Sequence, residues 1–382
     1  MRGTKQSSIE KFAAYMSKIA TLALAMTIRK QHMFSINKIT RKNILNLTPY
    51  SSARNEFKGE ASVSLNANEN AFGSPLEQQE QYNRYPDPLQ YKVKKRLSEI
   101  KGVPVRNIFL GNGSDEAIDI LFRSFCNPGV DNVIIAPPTY DMYQVSANIN
   151  DVEVRKVNLT HEYQLNLEGI AEAIDEHTKL IFICSPNNPT GNSINRDDIE
   201  TLLANFNGLI VIDEAYINFS RQKTFIQELT EYANLVVLQT LSKAWGLAGL
   251  RIGMAFASEE IIEIMNKVKP PYNINEASQQ LALKALQNVE QVNSWIKETL
   301  AQRDKLVLNL KNFDFVLDIY PSDANFILVK TTAPKPIYDF LVEKGIIVRD
   351  RSKVELCEGC LRITVGTPAE NEVLIKTLQQ YK

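Results

Sequence analysis

Short, nearly uninterrupted apolar segments recur along the middle of the chain, and polar or glycine-containing loops follow most of them. Strands that are buried on both faces are apolar throughout, whereas strands with one wet face alternate. Amphipathic stretches such as residues 116–125 and 194–204 lie between the apolar segments. The pattern predicts an α/β fold with a largely parallel central sheet. The predicted strands are residues 107–110, 132–136, 180–184, 209–213, 235–240 and 252–257.

The chain has 382 residues, more than a single hydrophobic core usually supports, so we predict two domains. The large domain is expected at residues 71–272, because Pro270 and Pro271 end the strand–helix alternation. A long polar helix and a smaller α/β domain are expected at residues 273–382. Residues 33–70 are expected to pack with the small domain, and residues 1–32 to be a dispensable extension. Further elements are predicted at residues 276–312, 326–329, 337–344, 346–348, 361–364 and 370–381.

Composition argues against several classes of function. A formal net charge of -1 provides no electrostatic attraction to nucleic acid or to an anionic membrane. The apolar run at residues 19–26 is too short to span a bilayer. Four cysteines in so long a chain do not make a disulfide framework, which fits the cytoplasm. Cys357 and Cys360 form a lone CxxC, and since a zinc site needs four ligands, we predict no metal.

The loop at residues 111–116 follows a predicted strand and begins a predicted helix. Its glycines, Gly111 and Gly113, would let backbone N–H groups of Ser114 and Asp115 approach a phosphate at the helix N-terminus. The third glycine of a dinucleotide-binding fingerprint is missing. A tight turn with an N-cap is the alternative interpretation.

Polar side chains also follow two neighbouring predicted strands, at the edge where open α/β sheets bind ligands. Asn188 lies between two prolines that rigidify its loop. Asp213 ends a buried strand and needs a partner, which a salt bridge, a helix N-cap or a protonated pyridine nitrogen would provide. Tyr216 could donate a hydrogen bond to a ring oxygen of the same ligand.

Lys243 lies three residues beyond a predicted strand end, close to hydroxyls and to an arginine. Thr240 and Ser242 flank it on one side, and Arg251 follows after a glycine-containing loop. An amine held beside a bound phosphate is what a Schiff-base lysine for pyridoxal phosphate requires. A surface lysine in a loop is the alternative for Lys243 alone. One lysine, one carboxylate and one phosphate-binding loop at neighbouring strand ends together favour cofactor chemistry.

These motifs, in this order, resemble the fold-type I pyridoxal-phosphate aminotransferases from Met33 to the C-terminus. The resemblance implies that Lys243 carries the cofactor and then moves the proton. It implies that Asp213 holds the pyridine nitrogen, and that Tyr140 stacks on the ring. The motifs that carry the resemblance are NLTPY at residues 46–50, NANEN at 66–70, RYPDP at 84–88, PTY at 138–140, DEAY at 213–216 and CLRITVGT at 360–367.

Further roles follow only from this resemblance. Asn188 and Tyr216 would contact the ring oxygen. The phosphate would be surrounded by Gly113, Ser114, Asp115, Thr240, Ser242 and Arg251, with Tyr85 reaching in from a second subunit of a homodimer. Substrate contacts are expected from Tyr50, Asn68, Arg349 and Arg362. The residue types leave alternatives open, because one of Arg349 and Arg351 could be a solvated charge and Tyr50 and Tyr85 could be packing residues.

Within that family the sequence closely resembles the enzymes that pass an amino group from L-histidinol phosphate to 2-oxoglutarate in histidine biosynthesis. An aromatic-amino-acid aminotransferase and a threonine-phosphate decarboxylase are the alternatives of the same fold type. A regulator with an aminotransferase-like domain is disfavoured, because 32 extra residues are too few for a DNA-binding module and the chain has no basic bias.

Overall fold

The computed structural model describes residues 34–50, 63, 65–76 and 81–381. The predicted extension at residues 1–32 lies outside the described residues. None of the helices within these ranges is long and apolar enough to cross a membrane.

A seven-stranded sheet forms the centre of the described structure. Its order is β1-β7-β6-β5-β4-β2-β3; β7 is antiparallel to both neighbours, and all other pairs are parallel. The prediction of an α/β fold with a mostly parallel sheet is therefore confirmed. The strands are β1 (Ile108–Asn112), β2 (Asn132–Ile135), β3 (Glu153–Lys156), β4 (Thr178–Cys184), β5 (Leu209–Asp213), β6 (Leu235–Thr240) and β7 (Ile252–Ala257).

Both faces of this sheet are buried, as its continuous apolar strands predicted. Alternate residues along one strand enter two separate cores: Ile210 and Ile212 belong to one, and Leu209 and Val211 to the other. Helices cover each face. They are α1 (Ile36–Ile39), α2 (Lys42–Leu45), α3 (Tyr91–Lys101), α4 (Gly113–Phe125), α5 (Met142–Ile149), α6 (Leu167–Ala173), α7 (Arg196–Asn205), α8 (Glu259–Val268) and α9 (Glu276–Ala285), with 3₁₀ turns at Val105–Asn107, Ile217–Phe219, Phe225–Glu228 and Ala248–Leu250.

A second, antiparallel sheet of order β10-β11-β9-β8 has a core of its own. Two predictions for this region are wrong in detail. Residues 346–348 form no strand, because pairing begins only at Arg349. The single helix predicted over residues 276–312 is two helices separated at residues 286–288. The remaining elements are α10 (Val289–Leu310), β8 (Val316–Ile319), β9 (Phe326–Thr331), α11 (Pro334–Glu343), β10 (Arg349–Asp350), β11 (Cys360–Thr364) and α12 (Pro368–Leu378).

The N-terminal helices lie elsewhere than expected. Ile36, Ile39 and Ile44 are buried in the core on one face of the large sheet, and Arg41 donates a hydrogen bond to the carbonyl oxygen of Arg123 in α4 at 2.7 Å. For residues 36–45 the structure thus differs from the expected packing with the small domain, because their isoleucines match the apolar surface of α4 and α8. The division at residues 71–272 and 273–382 stays a prediction.

The two thiols of the CxxC pair are free and buried. Burial raises the pKa of Cys357 to about 12 and the pKa of Cys360 to about 11. Both thiols therefore stay protonated at neutral pH, and a protonated thiol is a poor nucleophile and metal ligand.

Candidate active site

A cavity of about 510 Å³ opens at the edge of the large sheet where β4, β5 and β6 end, and the small sheet closes its other side. It brings together residues from across the chain, as the strand-end motifs predicted. The predicted site residues that line it are Gly113, Ser114, Asp115, Tyr140, Asn188, Asp213, Tyr216, Thr240, Ser242, Lys243, Arg251, Arg349 and Arg362.

Two close backbone approaches shape the loop at the start of α4. Gly113 has φ +73, and a Cβ there would come within 2.5 Å of an Arg251 guanidinium nitrogen. A Cβ on Gly253 would lie only 2.1 Å from the backbone nitrogen of Ser114. Both positions therefore require glycine, and β7 crosses directly beside the N-terminus of α4. The exposed N–H groups of that terminus favour an anion.

Hydroxyl and guanidinium groups lie beside the N-terminus of α4. The Thr240 and Ser242 hydroxyl oxygens are 3.0 Å apart, and the Ser242 amide donates to Thr240 Oγ1 at 3.0 Å. Arg251 Nη2 donates to Asp115 Oδ2 at 3.2 Å, and the Tyr140 hydroxyl donates to Asp115 Oδ1 at 3.0 Å. Three separate segments of the chain thus contribute donors to one small volume, which suits the several oxygens of a phosphate.

Asp213 is a buried carboxylate at the end of β5. It accepts hydrogen bonds from the Tyr143 hydroxyl at 2.8 Å and from the Ala215 amide at 3.0 Å, and it forms no ion pair with the residues that the structure describes. Burial raises its pKa, and the hydrogen bond from Tyr143 opposes the rise. The salt bridge that the sequence left open as a structural role for Asp213 is therefore absent among the described residues. A buried carboxylate without a cation favours a positively charged ligand.

Lys243 extends into the cavity, with Nζ 5.6 Å from the centre of the Tyr216 ring. Burial lowers the pKa of Lys243, the positive charge of Arg362 lowers it further, and Asp213 opposes both. A larger fraction of this amine is therefore neutral at neutral pH than for a lysine in water. Only the neutral amine attacks a carbonyl or accepts a proton.

Arginines occupy the opposite end of the cavity. Antiparallel pairing places Arg349 of β10 opposite Arg362 of β11. The Arg362 guanidinium donates to Asn188 Oδ1 and lies 5.2 Å from the centre of the Phe326 ring. Asn188 Oδ1 therefore accepts a hydrogen bond, and the side-chain NH2 of Asn188 is the group that can donate one to a ligand.

The family model for "Aminotransferase class I and II" matches residues 52–378. The chain belongs to the class I and II aminotransferases. Two relatives are named histidinol-phosphate aminotransferase. The one from Cytophaga hutchinsonii is 54% identical over 348 residues, which cover 91% of this chain and 99% of that protein. The one from Parabacteroides distasonis is 52% identical over 350 residues, covering 92% and 100%.

A solved structure shares the fold of this aminotransferase. It is the histidinol-phosphate aminotransferase of Sinorhizobium meliloti in complex with pyridoxal-5'-phosphate, with a TM-score of 0.72 and 22% identity. The match covers 83% of this chain and 90% of that one. The family resemblance and the predicted fold are thereby confirmed, and pyridoxal 5′-phosphate is the cofactor of the family.

The cavity of this aminotransferase fits that cofactor on its own chemistry. The loop around Gly113 has backbone and hydroxyl donors for a phosphate, and Gly253 leaves room for no side chain beside them. Asp213 is a buried acceptor suited to a protonated ring nitrogen, and Lys243 is an amine of lowered pKa in the same cavity. The lysine, the carboxylate and the donors thus have the chemistry that a pyridine aldehyde phosphate needs.

Three predicted residues do not line the cavity. Tyr50 is 70% exposed, and Tyr85 is 47% exposed and stacks on Tyr272 with ring centres 4.5 Å apart. Asn68 lies near Tyr85 in a separate surface depression. Within one chain, therefore, the structure leaves these three side chains outside the aminotransferase site.

Two residues of the site, Tyr143 and Arg351, were not predicted from the sequence. Tyr143 lies three residues after Tyr140 in α5, and its local sequence carries no signal that separates it from an ordinary core aromatic. Arg351 was left as a choice between a functional and a surface charge, and the structure places it in the cavity wall with its side chain 15% exposed. Its spacing of two from Arg349 was the available signal, since residues i and i+2 of an extended segment share a face.

Proposed function

We propose that this aminotransferase transfers the amino group of L-histidinol phosphate to 2-oxoglutarate, forming imidazole-acetol phosphate and L-glutamate in histidine biosynthesis. The observation that carries the proposal is one cavity that holds Lys243, Asp213 and the arginines Arg349 and Arg362. Relatives that are 54% and 52% identical over nearly their whole length are named for this substrate, which supports the choice.

Lys243 is the proposed catalytic residue. Bound pyridoxal phosphate would supply an electron sink that stabilises negative charge developing at the substrate Cα. The Lys243 amine would hold the cofactor, and the same amine, when free and neutral, would accept the Cα proton of the substrate and donate it back. The lowered pKa of Lys243 favours this role, because a general base must be neutral at the working pH.

Asp213 is proposed to pair with the protonated ring nitrogen, and the hydrogen bond from Tyr143 favours its ionised form. Asn188 and Tyr216 are proposed to bind the ring oxygen, and Tyr140 to stack on the ring. The proposed phosphate-binding residues are Gly113, Ser114, Asp115, Thr240, Ser242 and Arg251. Arg362 and Arg349 are proposed to bind the acidic group of the substrate, because a guanidinium binds carboxylate and phosphate through paired N–H groups.

Three side chains that are exposed in the single chain would belong to the active site of a homodimer. We propose that Tyr50, Asn68 and Tyr85 complete the site across a subunit interface, Tyr85 at the cofactor phosphate and the other two on the substrate side. Their exposure in the single chain supports this, since exposed tyrosines are enriched at interfaces. We further propose that the dimer works in the cytoplasm.

A donor comparison tests the proposal. The purified enzyme with pyridoxal phosphate and 2-oxoglutarate is given histidinol phosphate, phenylalanine or threonine phosphate, and L-glutamate and carbon dioxide are measured. We expect the highest kcat/KM for histidinol phosphate, with glutamate formed and no carbon dioxide. Equal or better use of phenylalanine would instead assign an aromatic-amino-acid aminotransferase. Carbon dioxide from threonine phosphate would assign a decarboxylase.

A further inference from the structure

Three guanidinium groups line one end of the cavity: Arg349, Arg351 and Arg362. The small sheet holds them together, because Arg349 is paired with Arg362 and the Arg351 amide donates to the Cys360 carbonyl oxygen at 3.0 Å. Arg351 is therefore fixed by backbone pairing, and its place in the cavity does not depend on a loop.

Acidic groups do not balance this cluster. Among the cavity-lining residues, Asp115 is bound to Arg251 and Asp213 to Tyr143. Asp141 is the carboxylate nearest to Arg351, at 4.0 Å, and its side chain is 82% exposed. Because water screens so exposed a pair, it is weak. Even if Asp141 is counted in full, three guanidinium groups face one carboxylate, and two positive charges stay uncompensated.

Arg351 is the least satisfied member of the cluster. Its Nε is buried without a hydrogen-bond partner among the described residues. Burial lowers the pKa of Arg351, and the neighbouring Arg349 lowers it further. Taking a charge out of water without a close counter-ion costs free energy. A bound anion at this end of the cavity would offset that cost.

We propose that Arg351 is a specificity-determining residue that, with Arg349 and Arg362, selects a dianionic phosphate ester over a substrate that has a single carboxylate at this position. The inference rests on the proposed function and assigns a role to a residue which that function does not use. A phosphate ester carries a charge of about −1.5 to −2 at pH 7, which matches two uncompensated positive charges. A carboxylate leaves one of them unmatched.

The test compares Arg351→Gln with Lys353→Gln in the complete enzyme. Lys353 is an exposed lysine two residues away that does not line the cavity, so its replacement removes the same charge from the same segment. Single-turnover reactions with histidinol phosphate and with L-glutamate are followed by the change in cofactor absorbance. We expect Arg351→Gln to lower the preference for the phosphate ester about 10- to 100-fold, as for a lost charge-assisted hydrogen bond. Lys353→Gln should leave the preference within about twofold.

The pH dependence of the same ratio separates recognition from a structural effect. The second phosphate ionisation lies near pH 6, so the wild-type preference should change between about pH 5.5 and 7.5. The imidazole of histidinol phosphate also titrates near pH 6.5, but it does so for every variant, so the phosphate contribution is read from the difference between wild type and Arg351→Gln. Titrations of the enzyme that affect both donors cancel in the ratio. Arg351→Gln should flatten the phosphate-dependent part of this change, and Arg351→Lys, which keeps the charge, should restore some of it.

Equal loss on both donors, or an unchanged ratio, would overturn the role of Arg351. Failure of the wild-type enzyme on histidinol phosphate, with normal use of glutamate, would instead overturn the proposed function. In that case inorganic phosphate is used as a competitor of glutamate. If inorganic phosphate inhibits Arg351→Gln ten times more weakly than wild type, an anion site at Arg351 is still supported. If phosphate inhibits both proteins equally, the proposed anion site is wrong.

Discussion

The hydrogen bond between Tyr143 and Asp213 allows a sharp test of how the buried carboxylate is kept ionised. Tyr143→Phe removes the hydroxyl that lies 2.8 Å from Asp213 Oδ2. The ring stays, stacked on Phe182 at 4.8 Å between centres, so the packing of this fully buried side chain is preserved. The substitution therefore changes the electrostatics of Asp213 with little change of volume.

The size of the effect follows from the burial of both groups. A hydrogen bond to a charged group contributes about 1.5–3 kcal/mol, and the bond here stabilises the ionised carboxylate against the effect of burial. Its loss raises the pKa of Asp213 further and weakens the pairing with a protonated ring nitrogen. We expect the dissociation constant for pyridoxal phosphate to rise about 10- to 100-fold at pH 7.

The assay is titration of the apoenzyme with pyridoxal phosphate, followed by absorbance, between about pH 6 and 9. Because protonation of Asp213 removes its charge, affinity should fall as the pH is lowered, and the fall should begin at a higher pH in Tyr143→Phe. Tyr163→Phe is the matched control, since its hydroxyl also donates at 2.8 Å but to the backbone carbonyl of Leu356, away from the cavity. Wild-type affinity and pH dependence in Tyr143→Phe would refute the reasoning.

Three more outcomes are expected. Lys243→Ala should abolish both turnover and the visible absorbance of the lysine-bound cofactor, and a variant that keeps both would remove Lys243 from its role. Gly253→Ala should lower the free energy of unfolding by about 1–3 kcal/mol in a urea titration, because the new Cβ meets the Ser114 backbone, whereas Gly249→Ala, which faces open space, should change it by under about 0.5 kcal/mol. Burial lowers the pKa of Lys94 to about 7, so between that pH and its ordinary value the unfolded chain binds the extra proton and stability rises with pH. Lys94→Met should therefore raise the free energy of unfolding at pH 7 by about 2–4 kcal/mol and remove this rise, and equal pH dependence in both proteins would contradict the pKa.

The central strands could be predicted because burial on both faces requires unbroken apolar runs. β5, β6 and β7 begin and end where the sequence predicted. Edge strands follow a different rule. β3 and β8 were missed because they are short, polar and partly exposed, with little apolar pattern to detect. The site residues at strand ends could be predicted for a topological reason: the carboxyl ends of parallel strands meet at one edge of the sheet.

Residues whose role depends on a neighbour could not be predicted in this way. Tyr143 contacts Asp213 across 70 residues of sequence, so only the folded sheet reveals the pair. Arg351 became part of the cavity through the register of β10 with β11, which its local sequence does not specify. Helices α1 and α2 were expected beside the small domain, and their isoleucines instead pack against the large sheet.

The position of β7 between β1 and β6 has a consequence for cofactor binding. β7 lies between β1 and β6; Arg251 directly precedes it, and its Gly253 lies beside Gly113. The proposed phosphate-binding groups therefore lie together only when β7 is paired with both β1 and β6. A cofactor that recognises this arrangement binds chains in which β7 is in place and does not bind the unfolded chain. It therefore stabilises the folded enzyme by mass action, and the apparent stability should depend on the cofactor concentration.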